Sequence, residues 1–255
     1  MTPRPFIMVA PNGATRGKAD HPALPVTIAD TVATASACYQ AGADALHLHV
    51  RDSTGHHSLD SGLYREACAE LHRVLPEISI QVTTEAAGVF SVSDQLACLA
   101  GLRPAWATIA VREIARDPDL AGRVYSTCAE IGTCVQHILY DTGDIRLLAN
   151  WRTKGIVRAD QSSVLFVLGR YDRTRASTPN DIVPFLKQRS GYGNWMVCAF
   201  GASEHACLIG AAQLGGAVRV GFENSLGSPD GTIWPDNAAS VRALSNAFGE
   251  LADAS

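Results

Sequence analysis

Apolar and polar positions along the chain fall into two alternating textures. Short runs rich in β-branched and aromatic residues recur at PFIMVAP (5–11), ADALHLHV (43–50), ISIQVTTE (78–85), AWATIAV (105–111), TCVQHILY (133–140), SVLFVLG (163–169), NWMVCAFG (194–201) and AVRVGFE (217–223). Between them lie amphipathic segments at 28–41, 62–73, 122–131, 178–189 and 204–214, where apolar residues return at helical spacing. Strand and helix patterns alternating in this way predict βα units on a parallel sheet. Thr27, Asp60, Ser93 and Thr178 are placed to cap helices, and Pro179 suits a first turn. Gly42, Gly132, Gly155 and Gly215 fall where helices should stop. Eight alternations in 255 residues predict a single-domain (β/α)8 TIM barrel over 1–255 rather than an open doubly wound sheet. The stretch SLGSPDGTIWPD (225–236) reads as an extended loop or arm, followed by a C-terminal helix at about 237–253.

Composition adds boundaries. Apolar residues make up 47% and charged ones 18%, a globular balance. The net charge of -4 offers nothing to a nucleic-acid backbone. No apolar run reaches membrane-spanning length, and PFIMVAP is too short and too soon broken by proline for a secretory core. The expectation is a cytoplasmic protein. The seven cysteines, at 38, 68, 98, 128, 134, 198 and 207, are dispersed without a CxxC pair, which predicts reduced thiols acting as small core residues.

In a barrel the chemistry collects at the carboxyl ends of the strands. Here that rim is polar: Asn12 and Gly13; His47, His49, Arg51 and Asp52; Thr83, Thr84 and Glu85; Thr108, Arg112 and Glu113; Tyr140 and Asp141; Arg170; Ser203 and Glu204; Arg219, Glu223 and Asn224. Strand alternation puts His47, His49 and Arg51 on one face and Leu46, Leu48 and Val50 on the other. The leucines suit the outer helices, so both imidazoles point inward, about 7 Å apart by strand rise. Such a pair converges on one divalent ion if a third ligand is near. In RVGFENS (219–225) the same alternation aims Arg219 and Glu223 at the barrel mouth, making Glu223 the candidate third ligand and a structural Arg219–Glu223 ion pair the competing reading. His56 and His57 fall in an expected surface loop, His137 inside a strand and His205 at a helix start. No Walker-type loop or GxGxxG opens a helix.

These residues resemble the β-keto acid cleavage enzymes, the family typified by 3-keto-5-aminohexanoate cleavage enzyme. The likeness spans nearly the whole chain: PNGA and HPALPVT (11–14, 21–27), HLHVRD with its trailing GHHSLD (47–60), FVLG, CAFG, and RVGFEN followed by DGTIWPDNAASV. The resemblance implies a zinc-dependent (β/α)8 barrel with one Zn2+ per chain held by His47, His49 and Glu223. It implies a reaction of a β-keto acid with acetyl-CoA that gives acetoacetate and a new CoA thioester, in a homodimer or homotetramer. Arg219 takes the family position of an arginine that orients the general base, and Thr83 and Thr108 match hydroxyl positions on strands three and four.

The chain also departs from that pattern. Asn224 stands where the family base is aspartate, Thr15 where a carboxylate is common, and VTTEA places Glu85 where many relatives carry glycines. Glu85 is therefore the candidate replacement base or reader of a charged substrate group, against the reading of a solvated loop carboxylate. Arg112, Glu113, Arg170 and Glu85 are each candidates to face the substrate side group, and Trp234 to cover either a neighbour or its own barrel. Two other functions compete: another metal-dependent lyase or synthase acting on an oxo acid, and a non-catalytic zinc-binding member that has lost its base.

Overall fold

Each of the eight expected runs folds as a strand, because its β-branched face meets a helix while the opposite face fills the barrel. The structure, a computed structural model, describes residues 4–170, 176–188 and 191–253. The first strand, β1 (Ile7–Val9), leads through α1 (Ile28–Gln40) to β2 (Ala45–Leu48). A short antiparallel hairpin follows, β3 (Val50–Arg51) and β4 (His57–Ser58), and then α2 (Ser61–Val74). Next come β5 (Ser79–Thr83), α3 (Val92–Leu102), β6 (Trp106–Ala110), α4 (Val111–Ile114), α5 (Pro118–Ile131), β7 (Cys134–Leu139) and α6 (Thr142–Thr153). The chain continues through β8 (Ser163–Leu168), a 3-10 turn (Pro179–Ile182), α7 (Val183–Gln188), β9 (Trp195–Ala199), α8 (Glu204–Gln213), β10 (Ala217–Val220) and α9 (Asn237–Asp253).

Eight strands close into a parallel barrel in the order β1, β10, β9, β8, β7, β6, β5, β2. Ile7, Val9, Leu46 and Leu48 belong to the buried layer between strands and helices, whereas Met8, Ala45, Ile138, Leu165, Val167 and Met196 pack as a second cluster inside the barrel. Period-two alternation on every strand produces both layers. No described helix is long and apolar enough to cross a membrane.

Several local expectations shift. The cap of helix α3 is Ser91, two residues before the expected Ser93, because Ser91 and Asp94 form a reciprocal capping box. The expected 122–131 helix begins at Pro118, and the expected 178–189 helix divides into a 3-10 turn and α7, its residue 189 lying outside the described residues. Helix α6 lies outside the expected helical segments; it buries Ile145, Leu148 and Trp151 along one face, and Asp141 starts it by accepting from Gly143 N and Asp144 N. Cys134 is exposed and Cys68 half-buried, while the other five cysteines are buried and all seven are free thiols. The 225–236 arm folds onto its own barrel: Trp234 stacks on the His205 ring at 5.2 Å, and its carbonyl lies 2.9 Å from His21 Nε2.

The expected strand 217–223 ends early, at Val220. Gly221 adopts φ +135, and a Cβ there would lie 2.6 Å from Ala10 O and 3.0 Å from Asn237 Oδ1. The chain therefore turns, with Asn224 N donating to Gly221 O at 2.8 Å and Glu223 N to Ala10 O at 3.0 Å. Buried Glu204 clamps this turn, its Oε1 accepting from Gly221 N and Asn224 Nδ2, each at 3.1 Å. Burial pushes the Glu204 carboxyl up to about 8, against the downward pull of those same hydrogen bonds.

Two predictions follow from this turn. Gly221→Ala should cost about 2–3 kcal/mol, from a side chain forced into positive φ and against a carbonyl; an unchanged denaturant midpoint would show that the turn has room for a methyl group. Glu204 binds its proton more tightly folded than unfolded, so its contribution is complete below its ordinary value of 4.5 and fades as pH rises through about 8. Glu204→Gln keeps the acceptor and cannot ionise. Between pH 5 and 8 the variant should avoid a stability loss on the order of 3–4 kcal/mol, and parallel denaturation curves of both proteins across that range would sink the idea.

Candidate active site

The barrel brings together side chains from opposite ends of the sequence. Strand β2 carries His47 inward in register with Gln81 of β5. His49 follows between β2 and β3; both histidines are 1% exposed, with ring centroids 5.1 Å apart. The turn after β10 delivers Glu223, whose Oε2 stands 3.4 Å from His49 Nε2 and 3.7 Å from His47 Nε2. Room for it comes from Gly13, at φ +63, where a Cβ would sit 2.6 Å from Glu223 Cγ.

This cluster has the chemistry of a metal site. Both ring nitrogens of His49 and Oε2 of Glu223 are buried without a hydrogen-bond partner, a costly arrangement that calls for an ion or water. Burial holds the His47 imidazole well below its ordinary value, with Arg219 acting in the same direction, so the ring is neutral. Glu223 is ionised: burial pushes its carboxyl up, but Arg219 and the adjacent histidines bring it well below the ordinary carboxylate value. Two imidazoles converging on an ionised carboxylate suit a divalent cation. Tetrahedral donors about 2.0–2.1 Å from one ion stand roughly 3.3 Å apart, close to the two separations found, and the three donor atoms all lie within 4.8 Å of one another.

Surrounding groups set these donors. His47 Nδ1 lies 2.8 Å from Gln81 Oε1. Gln81 Nε2 in turn donates to Gln136 Oε1 at 3.0 Å, so Gln81 Oε1 is an acceptor and the His47 proton resides on Nδ1. That leaves the Nε2 lone pair facing Glu223. Arg219, 2% exposed, donates from Nη2 to Glu223 Oε1 at 3.0 Å. Arg51 donates to the carbonyls of Gly13, Ala14 and Arg16, tying the PNGATR loop to the hairpin. His57 is no surface-loop residue: β3 pairs it with Arg51, its ring centroid lies 5.0 Å from that of His49, and its Nε2 is 2.9 Å from Glu85 O. Gln81 was legible as the inward residue two before Thr83; His57 was masked by its polar, glycine-containing neighbours.

The remaining candidates separate clearly. Glu85 pairs with Arg170, and its Oε2 lies 4.0 Å from His49 Nε2. Thr83 Oγ1 accepts from Glu85 N at 3.0 Å and from Thr108 Oγ1 at 3.5 Å. Arg112 is held by Asp141 and Asp144 and stacks over Tyr140, and Glu113 accepts from Ala86 N and Gln95 Nε2; neither lines the pocket beside the metal cluster. Asn224 does not line it either, its amide donating to Glu204 Oε1 and Arg219 O at 3.1 Å each. The pocket encloses about 10 Å³ among His47, Glu223 and Arg219 on one side and Glu85 and Arg170 on the other.

With this geometry in view, the likenesses to known proteins acquire physical content. The 3-oxoadipate:acetyl-CoA acetyltransferase of Cupriavidus necator is 24% identical over 98% of this chain and 91% of its own. The 3-keto-5-aminohexanoate cleavage enzyme of Fusobacterium nucleatum subsp. nucleatum is 26% identical over 96% and 92%. Among solved structures, the apo form of ObcA superposes with a TM-score of 0.71 at 14% identity, covering 91% of this chain and 62% of that one, which is a likeness of fold. Residues 5–254 match the beta-keto acid cleavage enzyme family. The chain thus belongs to the beta-keto acid cleavage enzyme family and is an acyl-transferring, carbon–carbon bond-cleaving enzyme.

Proposed function

We propose that this chain is a zinc-dependent enzyme that converts a β-keto acid and acetyl-CoA into acetoacetate and a new acyl-CoA. The observation that carries the reading is the convergence of His47, His49 and Glu223, with buried donor atoms left unpartnered. The names of the relatives from Cupriavidus necator and Fusobacterium nucleatum support the substrate classes. Bound at these three side chains, zinc would supply Lewis-acid stabilisation of negative charge developing on the keto acid oxygens.

The protein's own groups account for the rest. Arg219 holds Glu223 ionised and aimed at the histidines. Glu85, whose position beside His49 in the pocket lining supports the role, takes the C2 proton of the keto acid in this reading. The resulting carbanion bonds to the thioester carbon of acetyl-CoA and expels coenzyme A thiolate. That thiolate then adds to the original keto carbon, the C2–C3 bond breaks, the released acetoacetate carbanion takes the proton back from Glu85, and the acyl group remains on coenzyme A. Thr83 and Thr108 hold the Glu85 backbone at the strand end. Asn224, an amide that cannot accept this proton, serves as an anchor between Glu204 and the β10 backbone. The free thiols accord with a cytoplasmic enzyme, and the family resemblance with a homodimer or homotetramer.

Two measurements test the reading. His47→Ala and Glu223→Ala should each lose most of the zinc, and Gln81→Leu should weaken metal binding by about 10–100-fold; full occupancy in either alanine variant defeats the ligand assignment. Zinc-loaded protein given acetyl-CoA and a panel of β-keto acids should yield acetoacetate and new thioesters by mass spectrometry. Absence of both across anionic, cationic and neutral acids would overturn the catalytic reading.

A further inference from the structure

A histidine that gives one ring nitrogen to a metal keeps its proton on the other and needs an acceptor there. His47 has one, since its Nδ1 lies 2.8 Å from Gln81 Oε1. His49 turns Nε2 toward the carboxylates, 3.4 Å from Glu223 Oε2 and 4.0 Å from Glu85 Oε2, so Nδ1 is the nitrogen that keeps the proton. That atom is buried without a hydrogen-bond partner. A second ring nitrogen close by is in the same state. The His57 ring lies against His49 with centroids 5.0 Å apart, and its Nδ1 is likewise buried and unpartnered.

The chemistry of the His57 ring decides what its free nitrogen can do. Nε2 lies 2.9 Å from Glu85 O, and a carbonyl only accepts, so the proton sits on Nε2. Burial, with the His49 ring acting in the same direction, pushes the imidazole down to about 3, so the ring is neutral and Nδ1 is a lone pair. Three contacts fix its place: the hairpin register pairs His57 with Arg51, the Glu85 carbonyl holds Nε2, and Phe90 stands edge-on at 5.7 Å. An unpaired donor and an unpaired acceptor therefore lie on neighbouring rings. Centroids 5.0 Å apart allow one nitrogen of each ring to come within about 3 Å of the other, hydrogen-bond reach, by ring rotation alone. Resting on the zinc reading above, we propose that His57 is the positioning residue of the metal ligand His49, its Nδ1 accepting the His49 Nδ1 proton when Nε2 is given to the metal. The hairpin of β3 and β4 stands outside the barrel sheet, and this is its use: it lays an acceptor behind one ligand as β5 lays Gln81 behind the other. The competing role for His57 is a plain tie between the hairpin and the Glu85 backbone.

Two substitutions in the full-length protein separate these roles. His57→Gln can still reach Glu85 O from its amide nitrogen but offers no acceptor at the Nδ1 position. His57→Asn offers its amide oxygen there and gives up the Glu85 bond. Zinc Kd, measured by competition with a chelator, should weaken by about 10–100-fold in His57→Gln and stay close to the wild-type value in His57→Asn. In zinc-loaded protein with isotope-labelled histidine, nuclear magnetic resonance should find the His49 Nδ1 proton protected from solvent exchange in the wild type and exchanging freely in His57→Gln. Equal affinities in the two variants, or the reverse order, overturn the inference, and so does a freely exchanging His49 Nδ1 proton in the wild type, whatever either variant does. In each of those cases loss of zinc from His47→Ala leaves the ligand assignment standing. A wild type that binds no zinc removes the metal reading, and this inference with it.

Discussion

Closure of the barrel through β1 is the constraint on which the site depends. β1 pairs with β2 on one side and with β10 on the other. Only that double pairing places the histidines of the second strand within 3.4–3.7 Å of a carboxylate 174–176 positions later in the chain. An open sheet would leave these strands at distant positions, and the donor set would not exist. The geometry of this donor set is therefore a property of global topology, and it is lost with the fold rather than by local rearrangement. Gly221, Asn237 and Glu204 are the means by which that topology is translated into the position of one carboxyl group.

Around the cluster, charge is handled by pairing and by fixed hydrogen-bond direction. Arg219 keeps Glu223 ionised in a buried place where a lone carboxylate would take up a proton. The chain of amides from Gln81 to Gln136 fixes which imidazole nitrogen of His47 faces the cluster. A buried network of this kind is useful only when its members are satisfied. The few atoms left without partners lie largely at the donor cluster and its supporting residues, including His49, Glu223, Arg219, Asn224 and Glu204.

Much of the fold was legible in the sequence because alternation is a local signal. The eight strands, the inward pair His47 and His49, and the outward leucines between them all follow from period-two patterning. Glu223 was expected inward by strand alternation, whereas a glycine-centred turn is what brings it beside the histidines. What remained hidden was set by distant partners. Nothing local distinguishes Arg112, held by Asp141 and Asp144, from Arg170, which pairs with Glu85 over the pocket. His57 reads as loop until the hairpin register folds it against His49, and the Ser91 cap was displaced in the reading by a second serine two residues on.

The contact between Gly13 and Glu223 has an evolutionary corollary. One Cβ at position 13 would occupy the space now held by the Glu223 side chain, so these two positions, distant along the chain, are not independent variables. A larger residue at the first would be compatible with metal binding only if the acid at the second were shortened or re-aimed. A change at position 13 therefore has to be weighed together with the side chain at position 223.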